Sequence, residues 1–131
     1  MQKDIKRLGD AELEIMQVIW HTGAPMTAGS IQEKLRGRRD WQLSSLMTAL
    51  SRLAEKGFVH CDRSTRTNLY TALISEAAYR EEAGQSFLAK LYDNSIQNFV
   101  TALYDAHALT PDDLGELRSL IDEMERRQKR D

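Results

Sequence analysis

Leu43-Ser44-Ser45-Leu46-Met47-Thr48-Ala49-Leu50-Ser51-Arg52-Leu53-Ala54-Glu55-Lys56-Gly57 is the stretch that decides the fold. Leu46, Leu50 and Leu53 recur at helical spacing, so the segment reads as a helix from about Leu43 to Lys56 with one apolar stripe, closed by Gly57. A turn of about 100° per residue places Ser44, Thr48, Ser51 and Arg52 opposite that stripe, with Ser45 and Met47 flanking them. Small hydroxyl residues let a helix sink close to base edges in a major groove. Met47 suits a thymine methyl, and Arg52 suits a guanine or the backbone.

A solvated Ser/Thr face would look similar on a helix of any function, so the flanks carry the weight. Arg38 and Arg39 precede the helix in the basic connector Arg36-Gly37-Arg38-Arg39-Asp40, and Gln42 stands at its entry. Arg63 and Arg66 follow it in the polar tip Asp62-Arg63-Ser64-Thr65-Arg66-Thr67. Arginines on both sides of a reading helix are where phosphate contacts belong. The candidate DNA-binding set is therefore Arg38, Arg39, Gln42, Ser44, Ser45, Met47, Thr48, Arg52, Arg63 and Arg66.

Upstream, Asp10 is expected to cap a first helix whose Leu13, Met16 and Trp20 share a stripe, while Glu12 and Glu14 favour the positive end of its dipole. Thr22-Gly23-Ala24-Pro25 stops it, Gly23 taking the left-handed end position. A short second helix starts at Thr27, buries Ile31 and Leu35, and ends at Gly37. Downstream, Phe58-Val59-His60-Cys61 and Asn68-Leu69-Tyr70-Thr71-Ala72 read as two short strands around the arginine-bearing tip. Three helices and a hairpin in residues 1–72 spell a winged helix-turn-helix. Trp20, on the first stripe, and Trp41, just before the third helix, are expected to pack in the core rather than stack on bases.

From Ser75 the pattern returns to helix. Tyr79, Ala83, Phe87 and Leu91 share a face until Asp93-Asn94-Ser95 interrupts. Ile96, Phe99 and Leu103 continue to His107, and Thr110-Pro111 opens a last helix carrying Leu114, Leu117, Ile121 and Met124. The charged end from Glu125 to Arg130 is expected to fray. Residues 73–131 hold apolar stripes and too little chain to cover them, which points to a second copy of the chain. The expected architecture is mostly α: a winged helix-turn-helix domain over 1–72, then a C-terminal helical dimerisation segment. Its candidate dimerisation residues are Phe87, Leu91, Ile96, Phe99, Leu103, Leu114, Leu117, Ile121 and Met124.

Composition narrows the class. The 131 residues carry 18 Lys and Arg against 20 Asp and Glu, a net charge of -2, with 41% hydrophobic and 29% charged residues. That is too apolar for a disordered chain and too charged for a membrane protein, and no apolar run approaches the roughly 20 residues of a membrane span. The net charge conceals an asymmetry: residues 1–72 hold 11 basic against 8 acidic side chains, and residues 73–131 hold 7 against 12. The stretch from Met1 to Arg7 lacks the apolar core of a secretory signal, and Cys61 stands alone, so a reduced, cytoplasmic setting without membrane insertion is expected. His21, His60 and His107 are too dispersed for a metal site or a catalytic relay. With no phosphate loop and no nucleophile elbow in the chain, neither an enzyme nor a metal or cofactor is expected. Cys61 reads as a small apolar strand residue.

Several stretches together resemble the penicillinase-repressor family (the BlaI/MecI/CopY type). They are Asp10-Ala11-Glu12-Leu13-Glu14-Ile15-Met16 with Val18-Ile19-Trp20, the run from Trp41 through Thr48 to Arg52-Leu53, Lys56-Gly57 and Tyr70-Thr71. The likeness continues through Ser86-Phe87-Leu88, Tyr92, Asn98-Phe99, Leu109-Thr110 and Glu116-Leu117. It implies a dimeric winged-helix repressor that binds a double-stranded operator dyad and dimerises through its C-terminal helices. In the antibiotic-responsive branch a membrane sensor's signal leads to cleavage between an Asn and a Phe, which marks Asn98 and Phe99 as the candidate cleavage site. Two departures bear on the operator sequence and leave the docking mode in place: Leu43-Ser44 stands where Pro-Lys is frequent, and Met47 where Gln is frequent. The tail lacks the cysteine cluster of the copper-sensing branch, which disfavours a metal-released repressor.

The expectation is therefore a homodimeric, sequence-specific transcriptional repressor. The rival reading is a winged-helix protein-interaction module whose basic face meets an acidic protein instead of DNA.

Overall fold

The computed structural model describes residues 5–130; the first part of the polar N-terminal stretch lies outside them. The order is α1 (Asp10–Thr22), α2 (Ala28–Leu35), α3 (Leu43–Glu55), β1 (Val59–Asp62), β2 (Leu69–Ala72), α4 (Glu76–Tyr92), α5 (Ile96–Asp105) and α6 (Pro111–Arg130). The chain is mostly helical with one small antiparallel sheet, the winged-helix arrangement read from the sequence. It divides into two compact units, Met1–Gly84 and Gln85–Asp131.

Local chemistry sets most element boundaries. Gly9, not Asp10, is the N-cap of α1; Asp10 is its first helical residue, and the Gly9 N–H donates to Glu12 Oε1 at 3.4 Å. Thr27, read from the sequence as the start of α2, is its N-cap, its hydroxyl accepting from the Ser30 N–H at 3.1 Å; the helix runs from Ala28 and ends at Leu35, short of Gly37. Helix α3 closes with Gly57 at φ 84°, where the Phe58 N–H reaches back to the Leu53 carbonyl at 2.9 Å and the Gly57 N–H to Ala54 at 3.1 Å. A side chain at that φ would be strained, so glycine is required there.

The core gathers Ile15, Met16 and Ile19 from α1, Ile31 and Leu35 from α2, and Leu46, Leu50 and Leu53 from α3, all essentially without solvent exposure. Phe58, Val59 and Tyr70 close it from the hairpin side. The stripe read on α1 is shifted. Leu13 and Trp20 are half-buried at its edge, and the two isoleucines take the centre. A buried indole N–H usually finds a hydrogen-bond acceptor. Trp20 Nε1 donates to the Ile74 carbonyl at 2.8 Å, which holds the ring at the rim of the core. Trp41 is half-buried against the core, and Gln32 Nε2 donates to its carbonyl at 2.9 Å.

Strands β1 and β2 pair in the register Val59 with Ala72, His60 with Thr71, Cys61 with Tyr70, and Asp62 with Leu69. Phe58 lies in the turn before β1 instead of in the strand, and Asn68 just outside β2. A third chain segment, with no signal in the local sequence, also joins this sheet. Met26 and Tyr70 exchange backbone hydrogen bonds, N–H to O at 3.1 and 2.8 Å, which ties the loop between α1 and α2 to the outer edge of β2.

The first unit runs past residue 72. Tyr79 of α4 is buried, its ring 5.8 Å from those of both Trp20 and Phe58, and its hydroxyl accepts from the Leu8 N–H at 3.0 Å. In the second unit Phe87, Tyr92 and Phe99 form an aromatic triad with ring centroids 5.3–5.9 Å apart. Asp93 and Asn94, at φ 48° and 63°, break the helix where the sequence placed the interruption. Helix α6 continues to Arg130 instead of fraying, with Glu123 bridging Arg126 and Arg127. No described residue of this second unit is fully buried.

Candidate nucleic-acid interface

Burial of Leu46, Leu50 and Leu53 dictates which side of α3 faces outward. Ser44, Ser45, Thr48, Ser51 and Arg52 are all exposed, as are Gln42 at the N-cap, Leu43 and Met47. Residues four apart on a helix are neighbours. Ser44, Thr48 and Arg52 therefore make one row, and Leu43, Met47 and Ser51 make a second beside it. The Thr48 hydroxyl donates to the Ser44 carbonyl at 3.1 Å, so it keeps only its acceptor lone pairs and its methyl for other partners.

Two carboxylates of α1 pair with cations that flank the reading helix on either side. Lys56, the C-cap of α3, sets its Nζ 2.8 and 2.9 Å from the two oxygens of Glu12. Arg39, in the connector before α3, pairs with Glu14. Its guanidinium holds the Glu14 carboxyl below the usual glutamate range, and the carboxylate in turn raises the pKa of Arg39. Sequence spacing assigns Glu12 and Glu14 only a helix-dipole role, because their partners lie 44 and 25 residues away.

The flanking arginines divide into two kinds. Arg38 donates to Gln17 Oε1 at 2.8 Å, so Arg38 and Arg39 both lean on α1, while the third connector arginine, Arg36, pairs with Glu33 of α2 at 3.0 Å. Arg52, Arg63 and Arg66 enter no ion pair among the described residues, and all three are exposed. The tip that carries Arg63 and Arg66 is shaped by Asp62, whose Oδ1 accepts from the Ser64 N–H at 2.9 Å and from the Ser64 hydroxyl at 2.6 Å. Those bonds hold the Asp62 carboxyl below its ordinary value. In the sheet behind it, burial pushes the Tyr70 hydroxyl up. Among the described residues no three His, Cys, Asp or Glu side chains are placed to hold a metal ion, and no helix is long and apolar enough to cross a membrane.

A three-helix core with a two-stranded hairpin has known counterparts. The model of the penicillinase repressor family matches residues 8–123. The chain belongs to this family. The penicillinase repressor of Bacillus licheniformis is 32% identical over 127 residues, covering 97% of this chain and 98% of that protein. The methicillin resistance regulatory protein MecI of Staphylococcus aureus is 25% identical over 121 residues, 92% of this chain and 98% of its own. Among solved structures, the Bacillus licheniformis BlaI monomeric form in complex with the blaP half-operator aligns with a TM-score of 0.50 at 32% identity, over 60% of this chain and 94% of that one.

Proposed function

We propose that two copies of this chain grip one operator dyad. Each inserts α3 into a major groove and sets Arg63 and Arg66 of the hairpin tip against the phosphates at its margin. The protein is a DNA-binding transcriptional repressor of the penicillinase repressor family. The observation that carries the groove assignment is the outer face of α3, on which Ser44, Thr48 and Arg52 line up while the leucines behind them are fully buried. A row of small side chains ending in a guanidinium suits close approach to base edges. The BlaI monomer bound to its half-operator, similar to this chain over 60% of its length, supports that docking.

The second copy is held by the tail. Leu91, Ile96, Leu114, Ile121 and Met124 are 41–63% exposed, and Phe87, Phe99, Leu103 and Leu117 lie half-buried beside them. Apolar faces of this extent on a regulatory chain fit a two-fold interface better than solvent. Release follows when a membrane sensor's signal leads to a cut at Asn98-Phe99. Asn98 is exposed on α5, while Phe99 is packed on Phe87 and Tyr92, so the bond opens to a protease only after α5 unfolds locally. Footprinting on the DNA upstream of the chain's own gene tests the whole reading. Two protected half-sites related by a dyad are expected, and uniform or absent protection would favour a protein-interaction module instead.

A further inference from the structure

The outer face of α3 has an unusual chemical gap. Between Leu43 and Ser51 no exposed side chain carries an amide, a guanidinium, an ammonium or a carboxylate. Those are the groups that read guanine, adenine and cytosine through paired hydrogen bonds in the major groove. In their place stand two large apolar side chains, Leu43 at 45% and Met47 at 42% exposure, one helical turn apart on the same row. Beside them Thr48 has committed its hydroxyl proton to the Ser44 carbonyl, so its methyl adds to the apolar surface. Gln42 and Arg52 bracket this patch without entering it.

A water-exposed leucine and methionine on the face that enters a groove gain only where they meet apolar surface. The major-groove edge of B-DNA offers one such group, the 5-methyl of thymine. We infer that Leu43 and Met47 are specificity residues that read two thymine methyl groups in each half-site. The side chains are separated by about 6 Å along the helix axis, and bases stack about 3.4 Å apart. The two thymines therefore lie one or two base steps apart, and hydrogen-bonded readout is left to the ends of the helix. The inference rests on the placement of α3 in the major groove.

Replacing thymine by deoxyuridine removes that methyl and nothing else. The full-length protein is first used to select its tightest duplex from a random pool, and each thymine of that duplex is then exchanged singly. Two positions per half-site, one or two steps apart, should each weaken binding about fourfold, the worth of one buried methyl-sized group, while other thymines respond little. Met47→Ala should lose the response at one of these positions and Leu43→Ala at the other. Both side chains are exposed, and the circular dichroism of each variant checks that it is folded. A selected operator that binds tightly yet ignores every thymine-to-uracil exchange would overturn the inference and leave the groove placement standing. A response that survives in both alanine variants would also overturn it. If no sequence is selected at all, the DNA-binding reading fails and the inference falls with it.

Discussion

Glu14 of α1 and Arg39 of the connector before α3 form a two-pronged ion pair, Nε to Oε1 at 2.9 Å and Nη2 to Oε2 at 3.4 Å. The pair joins the first helix to the doorstep of the reading helix. It also occupies a guanidinium that sequence alone assigns to phosphate. Glu12 and Lys56 make a second such pair at the other end of α3, Nζ to Oε1 at 2.8 Å.

The Glu14 carboxyl is held below its ordinary value near 4.5, first by the hydrogen bond from Arg39. A carboxyl depressed in the folded state adds stability that is complete above the unfolded value and is lost as pH falls through the folded one. Wild type should therefore be more stable than Glu14→Gln at neutral pH, and the two should converge in acid. Urea unfolding midpoints across the pH range measure this. A gap that stays constant down to about pH 2, below any glutamate titration, would show that the ion pair is not its source.

The extent of the first unit makes a sharper demand on truncation. Tyr79 sits against Phe58 and Trp20 and accepts from the Leu8 N–H, and Ile74 supplies the acceptor for the Trp20 indole. A fragment ending at Gly84 should unfold in one cooperative transition. A fragment ending at Ala72 should lose about 3–5 kcal/mol, the usual cost of emptying an aromatic site in a core. Equal urea midpoints for the two fragments would contradict this account of the unit.

The leucines of α3 and the glycines at 23 and 57 speak through local spacing and backbone freedom, and the structure places them as read. The α1 stripe was misplaced because Ile15 and Ile19 compete with Leu13 and Trp20, and only the neighbouring elements decide which face wins. The partners of Glu12 and Glu14, the Met26–Tyr70 bridge and the docking of Tyr79 are long-range, so no window of sequence contains both halves of the signal.

Arginines with and without carboxylate partners should behave differently on DNA. Each phosphate contact contributes about 0.9 to the slope of log K against log salt. Arg66→Ala should flatten the slope by about one contact and weaken binding to all sequences alike. Arg39→Ala should leave the slope nearly unchanged, because Glu14 already holds that guanidinium. Salt titrations followed by fluorescence anisotropy separate the two, and equal slope losses would show that Arg39 leaves Glu14 to meet phosphate.

The exposed tail residues predict the assembly. Full-length protein at micromolar concentration should sediment as a dimer, and Ile121→Asp together with Met124→Asp should make it monomeric by placing charges in an apolar interface. Operator affinity should fall with it, since two half-sites would no longer be held by one particle. A wild-type chain that sediments as a monomer would remove the basis for the two-fold arrangement.

The placement of α3 in the groove is tested most directly by the discrimination ratio of one variant. Binding to the selected operator and to a scrambled duplex is measured for wild type and for Arg52→Ala at the same salt. Arg52→Ala should lose about 1–3 kcal/mol on the operator and much less on the scrambled duplex, so that its specificity falls by roughly ten- to a hundredfold. A folded Arg52→Ala protein that discriminates the two duplexes as well as wild type would show that α3 does not read the operator in this way.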